Sequence, residues 1–194
     1  MNAPPLETVR LKLRPFEARY APVIAGWLSD RVERFWVAPS SVAAVRASDV
    51  LSWTQRDGAA LVLLADGEAL PCAYAELNRL RSHAQCLWIG HLIVDPAQRG
   101  RGWGTQFVRL LCGMAFDILG AARLALVVFP ENRAALRCYR RCGFSIVGAE
   151  YHTFITSRRA HRMLRLELTA PAQRGRALPA AQDLPALRQQ LRGA

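Results

Sequence analysis

Hydrophobic runs separated by turn signals divide the chain into alternating strands and helices. The clearest unit lies in the middle, where residues 86–94 form an apolar run, Asp95-Pro96 ends it, and residues 105–119 follow as an amphipathic stretch. A short apolar run bounded by turn residues is typical of a buried strand, and apolar residues at helical spacing are typical of a helix packed on a sheet. The pattern therefore predicts a central strand, a turn, and a helix closed by Gly120.

The residues before this unit predict a strand and two helices. Residues 9–13 alternate apolar and basic side chains, which indicates a strand with one solvent-facing side. Residues 17–28 have helical spacing, and residues 48–55 are predicted to form a second helix capped by Ser48 and Asp49.

Turn residues predict the remaining elements. Asp66-Gly67, between the apolar runs 60–65 and 70–77, predicts a β-hairpin. Three further strands are predicted at residues 123–129, 144–147 and 162–168, and a helix is predicted at residues 134–141, with Asn132 as its cap.

The turn after the central strand carries glycines at alternating positions, Gly100, Gly102 and Gly104. Glycine permits sharp turns and close approach to a ligand, and the N-terminus of the following helix offers free N–H groups and a positive dipole. The turn is therefore predicted to bind a phosphate, with Arg99 and Arg101 adding charge. The alternative is a glycine-rich surface turn, and the spacing matches neither a Walker loop nor the dinucleotide fingerprint.

Two motifs resemble those of the GNAT superfamily of N-acetyltransferases. Arg99-x-x-Gly102-x-Gly104, after a strand, is similar to the acetyl-CoA loop, and the stretch from Asn132 to Phe144 resembles the signature Asn-x-x-Ala-x-x-x-Tyr-x-x-x-Gly-Phe. The resemblance implies an α+β, sandwich-like fold with a mixed, mostly antiparallel sheet of about seven strands, flanked by helices and splayed between its two central parallel strands. It implies an acetyltransferase domain over residues 1–168 and a basic tail over residues 169–194, in which a short helix is predicted.

The resemblance also implies the chemistry. Acetyl transfer from a thioester to an amine needs a grip on the pyrophosphate, a polarised carbonyl, a deprotonated amine and an acid for the departing thiolate. The implied cofactor-binding residues are Leu92, Ile93 and Val94 for the carbonyl, Arg99, Gly100, Arg101, Gly102, Trp103 and Gly104 for the pyrophosphate, and Asn132 for the pantetheine arm. Tyr139 is the implied acid, and it also contacts the cofactor sulfur; its alternative role is a core aromatic. Gly90 is expected to mark a bulge at the splay.

The general base is where this sequence departs from the family pattern. Many relatives place a glutamate early in the central strand, and Trp88 lies in that region here. His91 and Glu76, on neighbouring strands, are the candidates, with Glu76 acting directly or through water. A chain of waters is another alternative, and Glu150 is a more distant one. Structural roles for the first two are a hydrogen-bonded strand histidine and a solvent-facing carboxylate.

Charge and cysteine content limit the partners. The net charge is +11, with Lys12 as the only lysine, and it favours anionic partners such as the cofactor phosphates; no nucleic-acid-reading motif is present. The five cysteines form no Cys-x-x-Cys pair and are expected to be reduced thiols, with no metal site, in a cytoplasmic protein. The N-terminus has no secretion-signal pattern, and no apolar run approaches the ~20 residues of a membrane span.

The sequence thus predicts an acetyl-CoA-dependent N-acetyltransferase acting in a ternary complex on a primary amine of a small molecule or a protein N-terminus. Trp27, Phe35, Trp36 and Trp88 are expected in the acceptor cleft and favour a small molecule. One alternative is an acyltransferase using a longer acyl-CoA, since residues 27–36 resemble siderophore-type enzymes. The other is a non-catalytic acyl-CoA-binding regulatory module. A homodimer is expected by analogy with relatives.

Overall fold

A computed structural model describes residues 10–41, 43–54, 58–79 and 85–171 of the chain. The terminal helix predicted in the basic tail, at Leu184, Leu187 and Leu191, lies outside the described residues, as does the first residue of the predicted N-terminal strand, Val9.

A single sheet organises the described residues. Its strands are β1 (Leu11–Pro15), β2 (Gly58–Ala65), β3 (Ala73–Arg79), β4 (Cys86–Val94), β5 (Arg123–Val128), β6 (Ser145–Thr153) and β7 (Ala160–Thr169). They lie in the order β1-β2-β3-β4-β5-β7-β6, and every neighbouring pair is antiparallel except β4 and β5. The predicted mixed, mostly antiparallel sheet with two central parallel strands is confirmed.

The two parallel strands separate soon after they begin. Cys86, Leu87 and Trp88 of β4 pair with Arg123, Leu124 and Ala125 of β5, whereas β4 continues to Val94 against β3 alone. The C-terminal half of β4 therefore has a strand partner on one side only. Its other edge leaves main-chain groups available to a ligand, as the prediction of a splay requires.

Helices cover both faces of the sheet. The described residues contain α1 (Ala21–Gly26), α2 (Arg31–Val37), α3 (Ala47–Trp53), α4 (Trp103–Gly113) and α5 (Arg133–Arg141). The prediction of one helix over residues 17–28 was wrong, because Ala18–Tyr20 form a 3-10 turn and α1 begins afterwards with Pro22 in its first turn, where a missing N–H costs nothing.

The caps of α3 differ from those predicted. Arg46 is the N-cap residue, and Asp49 lies inside the first turn, where its carboxylate accepts a hydrogen bond from the Arg46 N–H at 2.8 Å. Ser48 is likewise within the helix. The predicted capping by these two residues was therefore wrong in position, although Asp49 still satisfies a main-chain donor at the helix start.

The central helix extends further than predicted. Gly102, with φ of 82°, is the N-cap of α4, so the helix begins at Trp103 rather than at residue 105. After Gly113 it continues as a π-helical turn over Met114–Ile118, and Gly120, with φ of 69°, follows it as predicted.

Two hydrophobic clusters lie on opposite faces of the sheet. The first packs α4 and α5 on one face and includes Phe107, Leu111 and Leu77, and the second packs α1 and α3 on the other face and includes Ile24 and Tyr74. Because side chains alternate along a strand, Glu76 points with Tyr74 towards the α1 and α3 layer.

Trp27 belongs to the second cluster and is 6% exposed, so it packs in the core; its predicted role in an acceptor cleft stays a prediction. None of the described helices has the length and apolar character to cross a membrane.

Candidate active site

The loop between β4 and α4 is shaped by its glycines. Asp95 accepts a hydrogen bond from the Ala97 N–H at 2.9 Å and starts a tight turn. Gly100 and Gly102 have φ angles of +77° and +82°, a region that other residues rarely adopt. A Cβ on Gly104 would lie 3.4 Å from Val94 Cγ2, so a longer side chain would occupy the space between α4 and β4. The loop thus turns sharply and presents the N-terminus of α4 to a cavity.

A cavity of about 350 Å³ lies beside this loop. Leu92, Ile93 and Val94 of β4, Asn132 and Cys138 of α5 and its cap, and Trp36 of α2 line it together with the loop. The structure therefore brings together most of the predicted cofactor-binding residues. Arg101 is exposed and does not line this cavity.

Two buried polar atoms of the cavity wall lack a partner within the described part of the chain. They are the Gln98 Oε1 acceptor and the Trp103 Nε1 donor, and Trp103 is 7% exposed. Leaving such groups unsatisfied is costly, and a polar ligand would relieve the cost. Free N–H groups at the start of α4 add an anion site. The residues present therefore fit a ligand with phosphate and amide groups, which acetyl-CoA has.

Arg99, the predicted phosphate ligand, is held by α2. Its Nε donates to the Val94 carbonyl oxygen at 3.1 Å, and its guanidinium forms an ion pair with the Glu33 carboxylate. Both charged residues line the cavity. An anionic ligand at the loop would therefore compete with Glu33 for the guanidinium.

Asn132 and Tyr139 lie at the two ends of one helix. Asn132 Oδ1 accepts a hydrogen bond from the Ala135 N–H at 3.1 Å, which caps α5 as predicted. Tyr139 is 7% exposed, packs against Phe144 with ring centroids 5.9 Å apart, and does not line the cavity. Burial, reinforced by Cys138 and Cys142, raises the pKa of Tyr139, so the phenol keeps its proton at neutral pH.

A β-bulge places His91. Tyr74 pairs with Ile93 and Glu76 pairs with Gly90, so two residues of β4, His91 and Leu92, oppose one residue of β3. The bulge therefore lies one residue beyond the expected position at Gly90. His91 has φ of 36°, a left-handed conformation that is uncommon for a residue with a Cβ. The bulge turns its side chain onto the same face as Glu76.

Glu76 and His91, two separate candidates for the base, form a hydrogen-bonded pair. His91 Nδ1 lies 2.9 Å from Glu76 Oε1, the Tyr74 hydroxyl donates to the same oxygen at 2.8 Å, and Asn78 Nδ2 donates to Oε2 at 3.2 Å. Glu76 is 1% exposed, so the solvent-facing alternative was wrong. Burial would raise its pKa, but the three donors hold the pKa of Glu76 below its ordinary value.

The surroundings fix the imidazole ring. The Trp53 ring stacks on it, with centroids 4.2 Å apart and planes 7° from parallel. A Cβ on Gly90 would lie 3.0 Å from Asn78 Nδ2 and 3.1 Å from Glu76 Oε2, so glycine here makes room for the buried carboxylate. Since an ionised carboxylate only accepts, Nδ1 carries the ring proton and Nε2 is left as an acceptor.

The sequence analysis did not predict the three residues that support the Glu76–His91 pair, which are Tyr74, Asn78 and Trp53. The signal for two of them was present, because Tyr74, Glu76 and Asn78 occupy alternate positions of one strand and must share a face. Trp53 lies on a helix distant in sequence, and no local pattern connects it with His91.

The other candidates lie elsewhere. Arg165 binds Glu150 at 2.9 Å and lies 6.0 Å above the Trp88 ring, which places Glu150 in an ion-pair network on β6 and β7. Burial would raise the pKa of Glu150, but hydrogen bonds from Arg165 and His152 outweigh burial and hold this pKa below its ordinary value. Phe35 packs against Phe129, with centroids 5.2 Å apart, in an aromatic cluster, whereas Trp36 lines the cavity near the glycine loop.

Comparisons with known proteins agree with this geometry. A sequence model described as the acetyltransferase (GNAT) family matches residues 27–144. The spermidine N(1)-acetyltransferase of Escherichia coli (strain K12) is 28% identical over 162 residues, covering 80% of this chain and 84% of that protein. The aminoglycoside N(6')-acetyltransferase type 1 of Klebsiella pneumoniae is 33% identical over 60 residues, covering 31% and 30%.

Solved structures share the fold. The spermidine N-acetyltransferase from Vibrio cholerae in complex with CoA and spermine superposes with a TM-score of 0.68 at 18% identity, covering 82% of this chain and 95% of that one. The aminoglycoside acetyltransferase AAC(6')-Ib in complex with coenzyme A gives a TM-score of 0.65 at 20% identity, with coverage of 82% and 95%.

Proposed function

Because this chain belongs to the GNAT family of acetyltransferases, we propose that it transfers the acetyl group of acetyl-CoA to a primary amine by direct attack in a ternary complex. The observation that carries the mechanism is the hydrogen-bonded His91–Glu76 pair; neither residue lines the cavity, but His91 directly precedes Leu92, which does. A base at this position lies beside the edge of β4 that β5 leaves unpaired.

In this proposal, main-chain groups and the side chains of Arg99 and Asn132 bind acetyl-CoA. N–H groups at the start of α4 and the side chain of Arg99 bind the pyrophosphate. Main-chain groups of Leu92, Ile93 and Val94 line the cavity at the splay, where an N–H polarises the thioester carbonyl. Asn132, at the cavity wall, contacts the pantetheine arm.

His91 acts as the general base. Its Nε2 accepts a proton from the attacking amine, while Nδ1–H remains bonded to Glu76. Glu76 is a positioning residue, because it is buried and its two carboxylate oxygens already accept three hydrogen bonds. It sets the tautomer and stabilises the imidazolium that forms.

Tyr139 acts as the acid for the departing thiolate. Carbon–nitrogen bond formation is followed by cleavage of the carbon–sulfur bond, and the phenol donates a proton to the sulfur. The phenol stays protonated at neutral pH, as a donor must be, but its raised pKa makes it a weaker acid than an ordinary tyrosine, and donation requires the ligand to reach it from the cavity, which it does not line.

The acceptor we propose is a small polyamine-like or aminoglycoside-like molecule. Relatives named for spermidine and for aminoglycosides support this class over a protein N-terminus. A homodimeric assembly, a cytoplasmic location and the lack of a nucleic-acid partner stay predictions.

Calorimetric titration with acetyl-CoA and longer acyl-CoAs, followed by thiol release with a panel of amines, tests the function. We expect micromolar binding of acetyl-CoA and turnover on spermidine or an aminoglycoside, with a peptide N-terminus as the comparison substrate. Binding without turnover on any amine would support the regulatory module, and preferred turnover of a longer acyl-CoA would support the siderophore-type alternative. Absence of binding would contradict the proposal.

Glu33→Gln is expected to strengthen acetyl-CoA binding. Removing the carboxylate frees Arg99 for the pyrophosphate, and an ion pair of this partly exposed kind is worth up to about 1 kcal/mol, or about a 3- to 5-fold lower Kd. Calorimetry at two salt concentrations measures the effect. Glu17→Gln is the matched control, because its ion pair with Arg19 is remote from the cavity. An unchanged or higher Kd in Glu33→Gln would show that Arg99 does not bind the phosphates.

A further inference from the structure

Two thiols, Cys138 of α5 and Cys142 just after that helix, contact the first turn of α4. Cys138 Sγ lies 3.6 Å from Thr105 Oγ1, and Cys142 Sγ lies 3.5 Å from the Thr105 carbonyl oxygen. The Cβ that Gly104 lacks would lie 3.7 Å from Cys138 Sγ. All five cysteines are within the described residues, and Cys138 alone among them lines the cavity.

The surroundings of Cys138 favour its thiolate. The neighbouring Cys142 thiol is the largest effect; together with the hydrogen bond to Thr105 and the charges of Arg141 and Arg109 it outweighs burial and lowers the pKa of Cys138 to about 7. The adjacent N-terminus of α4 adds its positive dipole.

The other four thiols have pKa values raised above the ordinary one. Burial raises the pKa of Cys72 and of Cys112 to about 12, and it also raises the pKa of Cys86. The adjacent Cys138 thiol, followed by burial, raises the pKa of Cys142 as well. A partly accessible, electropositive position that stabilises the thiolate is what makes a cysteine reactive, and only Cys138 has it.

We propose that Cys138 is a thiol-modification site that reacts with small disulfides and thereby blocks the cofactor cavity. The Cys138 thiolate attacks one sulfur of the disulfide, a new sulfur–sulfur bond forms, and the original one breaks. The other half leaves as a thiolate and takes up the proton that Cys138 released, so the protein thiol is oxidised as the small disulfide is reduced. The site is independent of acetyl transfer, although its effect on activity rests on the proposed function.

The experiment treats the reduced full chain with glutathione disulfide at pH 7.5 and locates the adduct by intact mass and peptide mapping. We expect one glutathione, on Cys138, that dithiothreitol removes. Prior saturation with CoA is expected to slow the reaction at least about tenfold, because the ligand fills the same cavity. Cys138→Ala is expected to abolish the adduct, and Cys112→Ala, the matched control on α4, to retain it.

Cys142→Ala tests the role of the second thiol. Loss of this neighbouring thiol is expected to slow the reaction of Cys138 at pH 7 about tenfold and to move the rate profile to higher pH. An unchanged profile would contradict this arrangement. Mapping on the wild-type chain keeps the test decisive if a variant fails to fold.

An adduct on another cysteine, or no adduct, would overturn the proposal. So would equal rates with and without CoA in a chain that calorimetry shows to bind CoA. Labelling of Cys138 in a chain that neither binds acetyl-CoA nor turns over would instead contradict the proposed function and leave the reactive thiol in place.

Discussion

Glu76→Gln is expected to lower kcat about 100-fold or more, within the range that acid–base groups contribute. The substitution keeps the size of the side chain, but its amide can donate to His91 Nδ1. The ring proton then moves to Nε2, and the base loses the lone pair that accepts the amine proton. Acetyl-CoA binding, measured by calorimetry, is expected to change little, because Glu76 is buried and does not line the cavity.

The controls separate this effect from a general loss of structure. His91→Ala is expected to lower kcat by a similar factor, and the double variant by no more than either single one, because the two residues act as a unit. Glu150→Gln, which changes a carboxylate in a different network, is expected to retain activity. A Glu76→Gln enzyme with kcat within about threefold of wild type would refute the pair as the base.

The pH dependence follows from the hydrogen bonds on Glu76. These bonds keep its pKa low, so the carboxylate stays ionised through the assay range and the acid limb of the kcat profile does not report protonation of Glu76. The same lowered pKa also makes the free energy of unfolding depend on pH, in the direction opposite to that of a cationic group with a raised pKa. A depressed carboxyl pKa stabilises the fold above the unfolded value of about 4.3, and this contribution is lost as pH falls below it. Urea unfolding at two pH values measures this contribution as the difference in the free energy of unfolding between wild type and Glu76→Gln.

Tyr139→Phe is expected to lower kcat about 100-fold while leaving the Kd for acetyl-CoA and the melting temperature almost unchanged. Phenylalanine retains the ring that packs against Phe144 and removes only the proton donor. Steady-state kinetics with saturating substrates measures the effect. If leaving-group protonation limits the rate, an acceptor panel gives the same fold loss for each amine.

Tyr151→Phe is the matched control, since Tyr151 is 71% exposed on β6 and removed from the cavity. Full turnover in Tyr139→Phe would mean that Tyr139 serves only as a core aromatic. That outcome would leave the His91–Glu76 pair intact, because the two variants alter different proton transfers.

The buried centre of the fold could be predicted from the sequence because its elements carry strong patterns. The bounds of β4 were predicted correctly, since a strand covered on both faces is an unbroken apolar run. β6 is much longer than the predicted residues 144–147, because it is an exposed edge strand and its side chains carry no apolar alternation. Likewise β3 begins at Ala73 rather than at residue 70, since Leu70 is exposed and Pro71 interrupts the strand pattern.

The candidate site, like the fold, has parts that local sequence patterns predict and parts that they do not. Motif spacing located the glycine loop and Asn132, because both depend on residues close in sequence. The contact between Glu76 and His91 depends on strand register and on a one-residue bulge, and neither is written in local spacing. The sequence predicts Arg99 as a phosphate ligand, but it gives no sign of the competing carboxylate, because only the fold brings Glu33 of α2 against Arg99.

The separation of β4 from β5 has a consequence for the lifetime of the protein. Beyond Trp88, β4 is paired with one neighbouring strand only, so the sheet has fewer hydrogen bonds between strands at the place proposed for the donor. Local opening at this place exposes amides to hydrogen exchange and the chain to proteases, and a ligand that bridges the gap closes it. We therefore expect a bound donor to slow proteolysis and hydrogen exchange of this part of the sheet.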